Sequence, residues 1–115
     1  MARHVLLIDI DDDPAAIARY KAWHAAGALP PAIGASIRGA GIAHMDIYLS
    51  GDRLVMVMDT TADFDPAAKA VADAADPDVQ AWEALMDSVQ RPLRWALPGA
   101  KWTEAAPIFS LADQP

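Results

Sequence analysis

Two side chains in the stretch ARYKAWH, residues 18–24, have the chemistry to move a proton. Tyr20 and His24 lie four apart, so on a helix they share one face. An imidazole, whose ordinary pKa is about 6.5, gives and takes protons near neutrality. His24 therefore reads either as a general acid/base or as a histidine packed on a helix face. Two carboxylates are candidate partners. Asp46 sits between Met45 and Ile47 in an apolar run, on the same strand face as Tyr48. A carboxylate buried there alone is costly. Asp46 is thus either a partner for His24 or a ligand hydroxyl, or a strand-edge group facing solvent. Trp82–Glu83 in VQAWEALM sets an aromatic ring beside a carboxylate, and glutamate occurs elsewhere only at position 104. Such a pair suits a sugar, stacked on its apolar face and bonded through its hydroxyls. It also suits a core tryptophan beside a solvated acid.

Other stretches say less. DIDDD, residues 9–13, has the charge for a metal site, but consecutive acids at a strand-to-helix turn are more simply caps and solubilising charge. Lys101–Trp102 either reaches a ligand or anchors its loop. His4 and His44 have no partners at metal-ligand spacing. There is no Gly-rich phosphate loop, Ser/His/Asp pattern or nucleotide fingerprint. Neither metal nor cofactor is expected.

The elements that must position these groups can be read from the pattern. RHVLLIDI (3–10) is rich in branched apolar residues and predicts a strand. Asp13–Pro14 predicts a helix start, carrying Ile17, Tyr20, Trp23 and His24 at helical spacing until Gly27 and Pro30–Pro31 break it. A short helix follows over 31–39, ending at Gly39 or Gly41. AHMDIYLS (43–50) and DRLVMVMD (52–59) flank a tight turn and predict a hairpin. Helices are expected over 64–75 and, from the cap-and-proline pair Asp76–Pro77, over 77–90. A Pro/Gly-punctuated loop, RPLRWALPGAKW, precedes a last edge-like strand over 104–111, where Pro107 fits only an edge or a strand start.

The order is β-α-β-β-α-β, the ferredoxin-like α+β arrangement, an antiparallel sheet with helices on one face. Both sheet faces read as apolar. Leu54, Met56 and Met58 oppose Val55 and Val57, and Leu6, Ile8 and Ile10 oppose Val5 and Leu7. Helices cover one face only, so the other needs a partner. A homodimer packed sheet to sheet is expected, with a small-ligand cleft between that uncovered face and its surrounding loops.

Composition narrows the classes. The 115 residues suit one domain spanning 1–115, and 54 % apolar residues suffice for a core. A net charge of −7 with no basic cluster argues against a nucleic-acid or anionic-membrane partner. The apolar run Val5–Ile10, broken by Asp9, is too short for a signal peptide, and nothing approaches the roughly 20 apolar residues of a membrane span. Cysteine is absent, which suits a cytoplasmic protein.

Taken in order, Tyr20-x-x-x-His24, SIRGAGI (36–42), MDIYLSGDRLVMVMD (45–59), VQAWEALM (79–86) and IFSL (108–111) resemble the L-rhamnose mutarotase family along nearly the whole chain. Within it, MDIY…RLVMVM and ALPGAKW look more like a branch described as a second type of L-fucose mutarotase. The resemblance implies a dimeric α+β barrel, free of metal and cofactor. It implies an isomerase that interconverts the α and β anomers of a 6-deoxy-L-hexopyranose, L-fucose first and L-rhamnose next. The family's helix tyrosine and histidine match Tyr20 and His24. Its strand tyrosine is replaced by Met45, and the second residue of its tandem tryptophans by Glu83, with Trp82 retained. A WPE that often follows the histidine is absent, and this chain has ALPP (28–31). Under this resemblance His24 with Asp46 or Glu83 would carry the proton transfers. Tyr20, Met45, Tyr48, Trp82, Lys101 and Trp102 would line the sugar site. The same barrel also hosts haem-handling or cofactor-free monooxygenases and non-catalytic sugar-binding modules, so the fold alone does not choose.

Overall fold

Three aspartate–proline pairs start helices in this chain, and each works the same way. In the computed structural model, which describes residues 1–115, Asp13 accepts from the Ala15 N–H, Asp65 from Ala67, and Asp76 from Asp78 and Val79. The carboxylate satisfies donors that the first helical turn leaves free, and proline there loses no bond. The elements in chain order are β1 (Ala2–Ile10), α1 (Pro14–Trp23), α2 (Pro31–Gly39), β2 (Ile42–Ser50), β3 (Arg53–Thr60), α3 (Pro66–Ala75), α4 (Pro77–Asp87), β4 (Gln90–Arg91) and β5 (Thr103–Glu104). A short 3₁₀ turn spans Leu111–Asp113. The Asp65 cap makes α3 begin two residues later than the expectation from 64.

The sheet order is β2-β3-β1-β4, with β5 also on β1, and every pairing is antiparallel. That is the ferredoxin-like order. The hairpin joins Ser50 to Arg53 through Gly51–Asp52. Gly51 sits at φ +58°, a conformation glycine adopts without steric cost. β1 and β3 pair from Ala2↔Thr60 to Asp9↔Arg53, which places Ile8 opposite Leu54.

The chain departs from expectation after α4. That helix stops at Asp87 instead of reaching 90, because the free edge of β1 at Asp9–Ile10 pairs with Gln90–Arg91. The expected last strand over 104–111 reduces to Thr103–Glu104, with one more bond from the Ala105 N–H to the Val5 carbonyl. Pro107 has no N–H to donate, and Ile108 beyond it is 96 % exposed. The slot beside β1 is thus shared by two short strands.

One sheet face packs against the helices. Ile8, Ile10 and Leu54 join Ala16 and Tyr20 of α1, Met86 of α4 and Val89 in the core. The opposite face carries half-buried Val5, Leu7, Val55 and Val57. It is framed by the ion pairs Arg3–Asp59 (2.9 Å) and Arg53–Asp9 (2.8 Å).

Candidate active site

The helices leave room above the far part of the sheet face they cover. A cleft of about 580 Å³ lies there, floored by Leu6, Ile47, Met56 and Met58 and walled by side chains from α1, α2, α3 and α4. The expectation put the ligand cleft on the uncovered face. It lies on the covered one, where the helices and the loop before β5 bring polar side chains over the apolar residues of the sheet.

His24 enters this cleft at the end of α1. It is the C-cap residue, and its Nδ1 lies 2.7 Å from the Tyr20 carbonyl oxygen. A carbonyl only accepts, so Nδ1 carries the hydrogen and donates it. The bond holds the ring in place and leaves Nε2 as the nitrogen free to exchange a proton. The phenol of Tyr20 stacks on the imidazole, with centroids 4.1 Å apart and planes at 25°. Trp82 of α4 meets the imidazole edge-on at 5.3 Å and 64°. The face shared by Tyr20 and His24 thus packs against its neighbours and also borders the cleft. Tyr20 is 5 % exposed, and its hydroxyl accepts from Gln90 Nε2 at 3.3 Å. Burial raises its pKa, while the Gln90 bond pulls the other way. The net effect keeps the phenol protonated at neutral pH.

Glu83 follows Trp82 on α4 and lines the same cleft, as do Lys101 and Trp102 from the loop before β5. Lys101 Nζ lies 2.9 Å from Asp87 Oδ1 and 3.5 Å from Glu83 Oε2. Burial works to lower the pKa of this ammonium, but the hydrogen bond to Asp87 and the charges of Glu83 and Asp87 outweigh it and raise the pKa. Lys101 stays cationic and bridges the two acids. Trp102 also packs against the core, so it anchors its loop as well as lining the cleft.

The strand residues divide. Met45 lines the cleft. Asp46 borders it but is exposed, and strand alternation turns its side chain toward the face shared with Tyr48. Tyr48 does not join the cleft. It is 59 % exposed and borders a separate depression of about 220 Å³ between α1 and β2. Three of the four acids of DIDDD have simpler work: Asp9 pairs with Arg53, Asp11 with Arg91, and Asp13 caps α1. No three His, Asp or Glu side chains converge as a metal site would require.

Sequence reasoning missed Gln90 and the group Ser36, Lys69 and Asp73, all of which line the cleft. Gln90 carries no local signal. Lys69 and Asp73 are visible as a helical i,i+4 pair, yet nothing in the sequence says that the pair points inward.

Comparison with known proteins adds to this geometry. Residues 3–111 match the protein family described as L-rhamnose mutarotase. An L-fucose mutarotase of Xanthomonas campestris pv. campestris is 50 % identical over 113 residues, covering 98 % of this chain and 90 % of that protein. The crystal structure of an L-rhamnose mutarotase from Formosa agariphila superimposes with a TM-score of 0.68 at 13 % identity, covering 96 % of this chain and 99 % of the other. A type-II polyketide cyclase, the tetracenomycin F2 cyclase of Streptomyces glaucescens, has the same fold at a TM-score of 0.62 and 13 % identity, covering 96 % and 98 %. The two structures share the fold with this chain, and their chemistry differs.

Proposed function

The chain belongs to the L-rhamnose mutarotase family and is a sugar mutarotase, and from that premise we propose that it interconverts the α and β anomers of 6-deoxy-L-hexopyranoses, L-fucose before L-rhamnose. The observation that carries the catalytic reading is the fixed imidazole: Nδ1–H is held by the Tyr20 carbonyl, Nε2 is left free, and Trp82 stands edge-on to the ring in a cleft with an apolar floor. The preference for L-fucose rests on the half-identical relative and on Met45 and Glu83, which alter the walls of the pocket.

Anomer exchange breaks the bond between C1 and the ring oxygen. The ring oxygen gains a proton and the anomeric hydroxyl loses one, leaving an open-chain aldehyde. Rotation about C1–C2 presents the other aldehyde face, and the reverse transfers close the ring. His24 serves one transfer through Nε2, and Glu83 serves the complementary one. Asp46 borders the cleft, but its exposure makes it the weaker partner. Tyr20, still protonated, and Trp82 position the ring, with Met45, Lys101 and Trp102 around it; Tyr48 contributes at most from outside the cleft. No electron leaves or enters the sugar, so no redox cofactor is needed, and both proton transfers are ones that side chains can make.

The proposal includes a homodimer, supported by the uncovered apolar face of Val5, Leu7, Val55 and Val57. It also includes a cytoplasmic enzyme acting as one domain over 1–115, supported by the acidic, cysteine-free composition. No helix is long and apolar enough to cross a membrane.

Saturation-transfer NMR on a panel of 6-deoxy and ordinary hexoses tests the reaction and the substrate together. Acceleration selective for L-fucose, then L-rhamnose, is expected. A panel in which no anomer pair exchanges faster than in buffer sinks the proposal. A sugar that binds without acceleration favours a binding module.

A further inference from the structure

Helix α3 is built inside out. Its sequence, PAAKAVADAA, offers one branched apolar residue and one pair of charges. An ordinary surface helix would bury the valine and leave Lys69 and Asp73 in water. Here Val71 is 73 % exposed, and no residue of the helix is fully buried. The two least exposed side chains are the charged ones, at 24 % for Lys69 and 16 % for Asp73. They pair with each other, and the Ser36 hydroxyl of α2 donates to Asp73 Oδ1 at 3.4 Å. All three line the cleft that holds His24.

Stability does not explain this arrangement. An i,i+4 pair contributes equally well facing solvent, and turning it toward an apolar wall adds a desolvation cost. The arrangement does suit a hydroxylated ligand. Lys69 has N–H donors beyond the one given to Asp73, and Asp73 has oxygen lone pairs beyond those used by Lys69 and Ser36. A donor and an acceptor held side by side match two vicinal hydroxyls, one accepting from the ammonium and the other donating to the carboxylate.

The position is also informative. His24 sits near Ile47 and Leu54, bordering with them the depression beside β2. Asp73 meets Ser36 of α2, the helix that leads into Ile42, and Ile42 pairs with Thr60 at the end of β3 beyond Met58. The two polar groups therefore stand toward opposite ends of a floor made by Met56 and Met58. A ring with its anomeric carbon at His24 directs its remote hydroxyls toward α3.

We propose that Lys69 and Asp73, braced by Ser36, form the specificity site of this mutarotase, binding the vicinal hydroxyls at C3 and C4 of the sugar. The inference rests on the sugar-mutarotase reading of the cleft, and its test separates the two. Titration of L-fucose and of 4-deoxy-L-fucose into the full-length protein, followed by NMR, measures binding without requiring catalysis. For the unmodified protein, loss of the hydroxyl is expected to weaken binding by about ten- to a hundredfold, the scale of a hydrogen bond to a charged group. In Asp73→Asn and Lys69→Met the two sugars should bind with nearly equal, weakened affinity. Lys69→Arg should recover part of the discrimination. In exchange kinetics the loss should fall on KM more than on kcat.

A purely structural pair would give another pattern. The variants would lower the melting temperature while still discriminating between the two sugars as the unmodified protein does, and that result overturns the proposal. So does failure of the unmodified protein to bind L-fucose. Asp73-dependent binding without accelerated exchange would leave the specificity site standing and overturn the catalytic reading alone.

Discussion

The two faces of one sheet have similar composition and opposite fates. On the covered face, Ile8, Ile10 and Leu54 are sealed by α1 and α4, and Met56 and Met58 floor an open cleft. On the other, Val5, Leu7, Val55 and Val57 lie in pairs across β1 and β3, with no helix above them. Polar groups are arranged accordingly. Over the covered face they come from helices and loops and converge: His24, Glu83, Lys101, Lys69 and Asp73. On the uncovered face they belong to the strands and form a frame, Arg3–Asp59 at one end and Arg53–Asp9 at the other. The Arg3 guanidinium, through its hydrogen bond and its charge, holds the Asp59 carboxyl below its ordinary pKa. Exposed pairs of this kind stabilise a monomer little. A ring of opposite charges around an apolar centre suits a surface that meets its own copy. Under the proposed function, one face serves a small molecule and the other a second copy of the chain.

The sharpest test of this division is on the covered face. His24→Ala should reduce anomer exchange by about a hundred- to ten-thousandfold, the range of general acid–base catalysis, with the circular dichroism spectrum unchanged. Near-normal exchange would move the chemistry elsewhere. The counterpart on the uncovered face is Val57→Asp. It should halve the mass seen in sedimentation, because an unpaired carboxylate cannot be buried between two apolar sheets. A monomeric parent protein would end the assembly reading.

A smaller effect comes from Tyr20. Its folded pKa lies above the unfolded value of 10.0, so the folded chain holds the phenolic proton more tightly. The corresponding stability is complete below pH 10 and is lost as the pH rises toward the folded value. Tyr20→Phe should therefore show a shallower fall of melting temperature above pH 10 than the parent. Equal slopes would mean that the hydroxyl is not buried as described. The smallest expected effect is at the boundary between the faces. Asp46→Asn should change exchange rates by about threefold or less, since an exposed strand carboxylate is well solvated. A loss as large as that of His24→Ala would make Asp46, not Glu83, the partner in proton transfer.

Much of this was legible in the residues. Asp13–Pro14 and Asp76–Pro77 announce helix starts because the cap and the residue it serves are neighbours. The hairpin at Ser50–Arg53 and the two-sided apolar strands follow from alternation. Tyr20 and His24 share a face because helical periodicity is local, and the family resemblance rests on motifs kept in order. The tail was misread because a strand needs a partner, and whether Ile108 and Phe109 find one depends on an edge already taken up to Glu104 and on Pro107.

By itself, then, the sequence determined the ferredoxin-like element order, the acidic cysteine-free chain and the pair Tyr20–His24. All three depend on residue type and near spacing. Only the tertiary structure decided which sheet face holds the cleft, that Tyr48 stands outside it, and that Lys69 and Asp73 turn inward. Those outcomes depend on where helices land on the sheet. Two faces of equal hydrophobicity, or two sides of an alanine-rich helix, look alike until packing makes them different.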